Sequence, residues 1–164
     1  MMKGEEDLLA MFRELDDPEC LEWPRNYDRN ESAVLFGALV ARLDGDFAVR
    51  CTAEPDTQDS SEYGRVTVPA EATACATRIV VCVSKFGSLA LVCVDNPGAF
   101  LGTQEAQAEG GLDTADLAKV NQALTDLGYV VVPEELLESD YTGPSRLHWH
   151  VQRPTWWHRF FGTF

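Results

Sequence analysis

The stretch whose reading decides the fold is Arg78–Asn96, RIVVCVSKFGSLALVCVDN, the most apolar part of the chain. Two β-rich runs, Ile79–Val83 and Leu89–Val94, flank Ser84-Lys85-Phe86-Gly87-Ser88, and a glycine in so short a connection marks a hairpin. With Phe86-Gly87 at the centre of the turn, Val80, Cys82, Leu91 and Cys93 share one face. Ile79, Val81, Val83, Ala90, Val92 and Val94 share the other. Both faces are apolar. A hairpin wetted on one side alternates with polar residues, so this one belongs in mid-sheet with both sides covered.

Working outward toward the N-terminus, Tyr63–Val68 reads as a strand closed by Pro69, and Phe47–Ala53 alternates as a half-buried strand. Between them lies EPDTQDSSE, a polar loop with four acids and no base. Asn30 is a candidate cap for a helix over 31–43 with so little polar surface that it should be mostly buried. A strand over Val34–Leu43 is the competing reading of that apolar run. Trp23 and Tyr27, in the irregular segment 19–29, are expected to pack back on the body. A first helix over 5–15 carries Glu5, Glu6 and Asp7 where the helix dipole favours acids.

Toward the C-terminus, Asn96-Pro97-Gly98 breaks the sheet and 99–111 reads as a loop with one helical turn. Asp113 caps a helix over 114–127 with Leu117, Val120, Leu124 and Leu127 as its apolar seam, and Gly128 stops it. Tyr129–Val132 is a short fifth strand, and Pro133 opens a short helix. The last segment, RLHWHVQRPTWWHRFFGTF, is basic and crowded with aromatics; a free tail this apolar aggregates, so it should dock on the body. The expected architecture is a single α+β domain over 1–164. It has an antiparallel sheet of four main strands plus a short fifth, packed with helices 5–15, 31–43 and 114–127.

Composition agrees: 164 residues, 45% hydrophobic and 24% charged, suffice for a continuous core without disulfides or metal. Five cysteines without CxxC spacing, three of them inside predicted strands, read as reduced buried thiols. No apolar run approaches the roughly 18 residues of a membrane span. The N-terminus has acids where a secretory signal needs a basic region, so a cytoplasmic location is expected. Arginine outnumbers lysine ten to three, a bias of GC-rich bacterial genomes.

GYVVVPEELLESDYTG followed by TWWHRFF resembles the closing pattern of small uncharacterised bacterial proteins, a group that includes suspected toxin-immunity proteins. The resemblance covers roughly the last fifth of the chain and carries no catalytic motif. The chain departs from the pattern in ending Gly162-Thr163-Phe164 instead of with an acidic, an aromatic and an aliphatic residue. What the resemblance implies is an immunity role.

Little in the chain has the spacing of catalysis. His148 and His150 share one side of an extended strand and His158 is near, but a basic, tryptophan-rich setting is a poor home for a dication, so no metal is expected. Cysteine–histidine nucleophilic pairs lack any signature, and Asp16/Asp17, Asp56/Asp59 and Glu134/Glu135 are pairs that a chain this acidic makes by chance and turns to water. Phosphate and dinucleotide loops are absent, and no cofactor is expected.

Charge is the strongest global signal. The net −14 divides into −17 over Met1–Gly143 and +3 over Pro144–Phe164. Such a body repels phosphate backbones and attracts basic proteins. Glu54, Asp56, Asp59 and Glu62 form one acidic concentration, and Glu105, Glu109, Asp113 and Asp116 another. Glu54, Asp56, Asp59, Glu62, Glu105 and Glu109 are therefore the candidate partner-binding residues. The expectation is a non-enzymatic acidic binding protein, monomer or homodimer, that occludes a basic partner such as a toxin nuclease and contacts neither nucleic acid nor membrane. The alternatives are a small enzyme with a dispersed site drawing on Tyr63, Arg65 or the histidines, and an acidic chaperone-like or regulatory dimer.

Overall fold

The computed structural model describes residues 4–96, 98–145 and 153–162. It is an α+β fold. Five strands lie in chain order: β1 (Thr52–Glu54), β2 (Glu62–Val68), β3 (Ile79–Ser84), β4 (Leu89–Val94) and β5 (Val130–Val131). The first four form an antiparallel meander, whereas β5 pairs with β4 in parallel. The chain between β4 and β5 crosses over through α3 (Thr103–Ala108) and α4 (Thr114–Asp126), and a crossover of that length returns a strand in the same direction.

The β3–β4 register, with Cys82 opposite Leu91 and Val83 opposite Ala90, centres the turn between Phe86 and Gly87. Every residue of both strands is buried. Gly87 sits at φ 59°, a conformation that residues with a Cβ rarely adopt, and the Leu15 side chain packs over it. The face bearing Val81, Val83, Ala90 and Val92 is covered by α2 (Arg29–Phe47), α3 and α4. The face bearing Val80, Cys82, Leu91 and Cys93 is covered by α1 (Glu5–Leu15), α5 (Glu134–Leu137) and α6 (Trp156–Phe161).

Three local expectations are corrected. The second helix starts at Arg29 under an Asp28 cap, whose Oδ1 accepts from the Asn30 and Glu31 N–H groups at 2.9 and 3.0 Å, and it runs on to Phe47. That rules out a strand over Val34–Leu43 and shortens the Phe47–Ala53 strand to Thr52–Glu54. Phe47 is the helix's last core side chain, Ala48 closes it at φ 51°, and Asp44 Oδ1 takes the Cys51 N–H at 2.8 Å. A short apolar alternation fits a helix end plus a turn as well as it fits a strand. Nor is this helix mostly buried: Phe36, Leu39, Leu43 and Phe47 form one stripe, while Val34 is 74% exposed. It lies on one face of one sheet, and none of the described residues covers Val34 on its back. Within 99–111 the expected single turn is the six-residue α3.

The aromatic C-terminal segment docks as expected, to the extent that it is described. Phe160 lies 5.5 Å from Phe12 and 5.6 Å from Phe86, ring centre to ring centre, and Trp156 lies 5.5 Å from Phe12. Arg159 fixes the helix in place. Its Nε donates to Asp16 Oδ1 at 2.6 Å, and its terminal nitrogens donate to the carbonyls of Asp17, Cys20 and Leu21 at 3.0–3.2 Å. Asp16 in turn accepts from the hydroxyls of Tyr141 and Ser145. Neither side chain of the ion pair is exposed at all. Among the described residues no helix is long and apolar enough to cross a membrane.

Candidate functional site: an aromatic cleft beside an acidic loop

Where the 16–21 loop is pinned by Arg159, the chain following it is held against the β3–β4 turn and the 54–62 loop. The anchor is Lys85, the one charged residue between Arg78 and Asp95. Its ammonium donates to the carbonyls of Ser60 and Thr57 at 2.7 and 2.9 Å and to Glu22 Oε2 at 3.3 Å. Those three bonds use all three of its protons. The Trp23 ring lies over it, 5.7 Å from ring centre to nitrogen. A turn closed by Tyr27 N–H on the Pro24 carbonyl brings Tyr27 alongside, with the two rings 6.1 Å apart and only 16° from parallel.

The result is a cleft of about 330 Å³ bounded by Glu22, Trp23, Tyr27, Arg29, Asp56, Gln58 and Lys85. Trp23 packs back on the body against Lys85 and Tyr27, as expected, and remains 49% exposed. The Tyr27 hydroxyl is buried without a hydrogen-bond partner among the described residues. Arg29 closes one side by pairing with Asp56. Gly64 makes the loop's position feasible, because a Cβ there would come within 2.5 Å of the Glu54 carbonyl oxygen.

The acidic residues singled out in the sequence have different fates. Glu54 lies on exposed β1, and Asp59 is exposed at φ 52°; neither has an ion-pair partner among the described residues. Asp56 reaches the cleft through Arg29. Glu62 is not on this surface: it is 5% exposed and turned to Arg65 at 3.1–3.2 Å, and burial raises its carboxyl above the usual range despite that arginine. On the other side of the molecule, Glu105 is exposed and its carboxylate takes the Leu101 N–H, while Glu109 is exposed at the end of α3. Asp113 caps α4, and Asp116 is buried on the Ala74 N–H at 2.8 Å. The second concentration is thus largely engaged in holding helix ends and loops.

The adjacent carboxylate pairs do not all turn to water. Asp16 is buried on Arg159 while Asp17 meets Arg25; Glu134 is buried while Glu135 is exposed. In each pair one carboxylate is buried on interior partners and its neighbour is not.

No family model, curated protein or solved structure matches this chain. The chemistry of the cleft is therefore argued from its own residues. Lys85 and Arg29 are both engaged, by Glu22 and backbone carbonyls and by Asp56, which leaves, among the described residues, a surface of aromatic rings and paired charge. Cys51, far from the cleft in the core, has its thiol pushed up to about 12, by burial first and Asp44 second, and Cys93 is raised beside Cys82. Thiols so shifted are poor nucleophiles. His158 accepts the Thr155 N–H on Nδ1 at 3.0 Å and completes the cap of its own helix; His148 and His150 lie outside the described residues. Among the described residues no three histidine, cysteine or acidic side chains are grouped to hold a metal. Tyr63 is buried in the core, and Arg65 is held by Glu62.

Sequence reasoning passed over the cleft. The signal was a lone lysine inside a hairpin that is otherwise apolar on both faces, since a buried ammonium needs carbonyls or carboxylates brought to it from elsewhere in the chain.

Proposed function

We propose that this protein is a non-enzymatic binding protein of the immunity or inhibitor kind, which occludes a basic protein with the Trp23 cleft and the adjoining loop of Glu54, Asp56 and Asp59. The carrying observation is Trp23 itself: a half-exposed indole held from below by Lys85 and from the side by Tyr27, next to an arginine and a loop of exposed acids. Tryptophan, tyrosine and arginine dominate the energetics of protein interfaces when they are rigid before binding. The charge excess around them steers a cationic partner in and keeps polyanions out. The ending that resembles suspected immunity proteins supports the same reading.

The test is titration against purified cationic nuclease domains, following nuclease inhibition and tryptophan fluorescence. Trp23→Ala should weaken an inhibitory complex roughly 30-fold, the effect of a hot-spot residue. The double reversal Glu54→Lys with Asp59→Lys should slow association and flatten its salt dependence while leaving dissociation nearly unchanged. A complex indifferent to Trp23→Ala refutes the assignment of the cleft.

A further inference from the structure

The two edges of the sheet are built differently. β1 is an exposed Thr-Ala-Glu strand, whereas β5 is Val130-Val131 sunk in a groove of about 450 Å³, within the size range of ligand sites. One wall of the groove is Leu117, Asn121 and Thr125 of α4, and the other is Glu5 and Leu8 of α1. It shares no lining residue with the Trp23 cleft.

At its floor the β5 backbone is half used. The Val130 and Val132 N–H groups donate to the Ser88 and Ala90 carbonyls at 2.9 Å. Because successive residues of a strand face opposite sides in the plane of hydrogen bonding, Val131 turns its N–H and C=O toward the open edge. Asn121 Oδ1, on the α4 wall, is buried without a hydrogen-bond donor among the described residues. Three carboxyl side chains, Glu5, Glu134 and Glu135, line the groove, and among the described residues no lysine, arginine or histidine does.

We infer that this groove binds an extended peptide segment, apolar at successive positions and carrying a flanking lysine or arginine, which adds to the sheet beside β5. A strand laid there points alternate side chains to the two sides of the sheet. On one side they meet Leu117 and Tyr129, on the other Leu8 and Val132, so both sets are apolar. The acidic rim selects the basic flank. A second copy carries the same three carboxylates at its own β5 edge and so lacks the complementary charge. Binding of this kind draws on main-chain hydrogen bonds for affinity and on side-chain pockets for selection.

The experiment uses fluorescein-labelled Lys-Val-Ile-Val-Lys, the same peptide N-methylated at alternate residues so that it cannot donate to a strand edge, and an Asp-Val-Ile-Val-Asp control. Fluorescence anisotropy should show saturable binding of the first, at least tenfold weaker binding of the other two, and loss of binding with Val131→Pro. That substitution removes the outward N–H but none donated to β4, and circular dichroism checks the fold. Leu117→Lys, on the wall and not in the ladder, should also abolish binding if Val131→Pro disturbs folding. Equal binding of the N-methylated peptide, no saturable binding of any peptide, or sedimentation as a dimer that Leu117→Lys dissociates would each overturn the inference.

Discussion

Two buried cations, Arg159 and Lys85, hold this molecule together in different ways. Arg159 is enclosed: its side chain has no exposure, its donors end on Asp16 and three carbonyls, and its plane lies 4.5 Å from the Phe86 ring centre. Lys85 is nearly as buried, at 3% side-chain exposure, but its partner Glu22 retains 26% and the indole above it faces solvent. The first network closes on itself and serves the fold. The second is sealed underneath and open above, which is how a rigid surface is displayed. Removing Arg159 should therefore have the largest effect on stability. Arg159→Ala strands the Asp16 carboxylate in the interior, at a cost of about 3–5 kcal/mol in urea unfolding. The companion double variant Arg159→Met with Asp16→Leu should recover much of that loss, since apolar side chains of similar volume replace a buried pair with little penalty. If Arg159→Ala costs no more than a surface substitution, the contrast between the two networks fails.

Lys85→Met is the matched perturbation at the open site. It leaves the Thr57 and Ser60 carbonyls without their donor, but Thr57 is only half-buried, and Glu22, at 26% side-chain exposure, can rehydrate. The expected cost is about 2 kcal/mol, smaller than for Arg159. Its distribution is the sharper measurement. Amide exchange should speed in the 19–29 and 54–62 segments, while the β3–β4 ladder and α6 keep their protection. Uniform loss of protection would mean that Lys85, like Arg159, supports the whole core.

How far this was legible in the sequence follows from the same contrast. The hairpin at 79–94 was readable because its apolar residues occupy both faces, a pattern with one good explanation. The α4 helix was readable because Asp113 and Gly128 mark its ends. The parallel direction of β5 depends on where the crossover lies, and the end of α2 depends on which of two periodicities the core accepts at Phe47; neither is local information. For the acids the limit was more severe. Composition reveals how much negative charge there is but not where each carboxylate points, and Asp16, Glu62, Asp116 and Glu134 all point inward. What remains of the 54–62 concentration is smaller, and of it Asp56 borders the same cleft as Trp23, which only the fold brings next to it.

Glu62 offers the finest test, because it adjoins the Lys85 network without belonging to it. Its N–H donates to Ser60 Oγ at 3.0 Å, and its carboxyl meets Arg65, which keeps 30% side-chain exposure. Burial raises that carboxyl above its ordinary 4.5 more than Arg65 lowers it. The folded protein thus retains a proton that the unfolded chain has released, and unfolding between the two values releases it. Stability from this group is full below pH 4.5 and declines as pH rises through the raised folded value. Glu62→Gln keeps an acceptor for Arg65 but does not titrate. Glu134, shifted the same way by burial, is present in both proteins and cancels in the difference. Urea unfolding of the two across this window should show the variant gaining on the parent as pH rises, with the difference levelling off above the folded value. A difference that moves the other way would mean that Arg65 outweighs burial, placing Glu62 with the compensated Arg159 pair and not with the open Lys85 network.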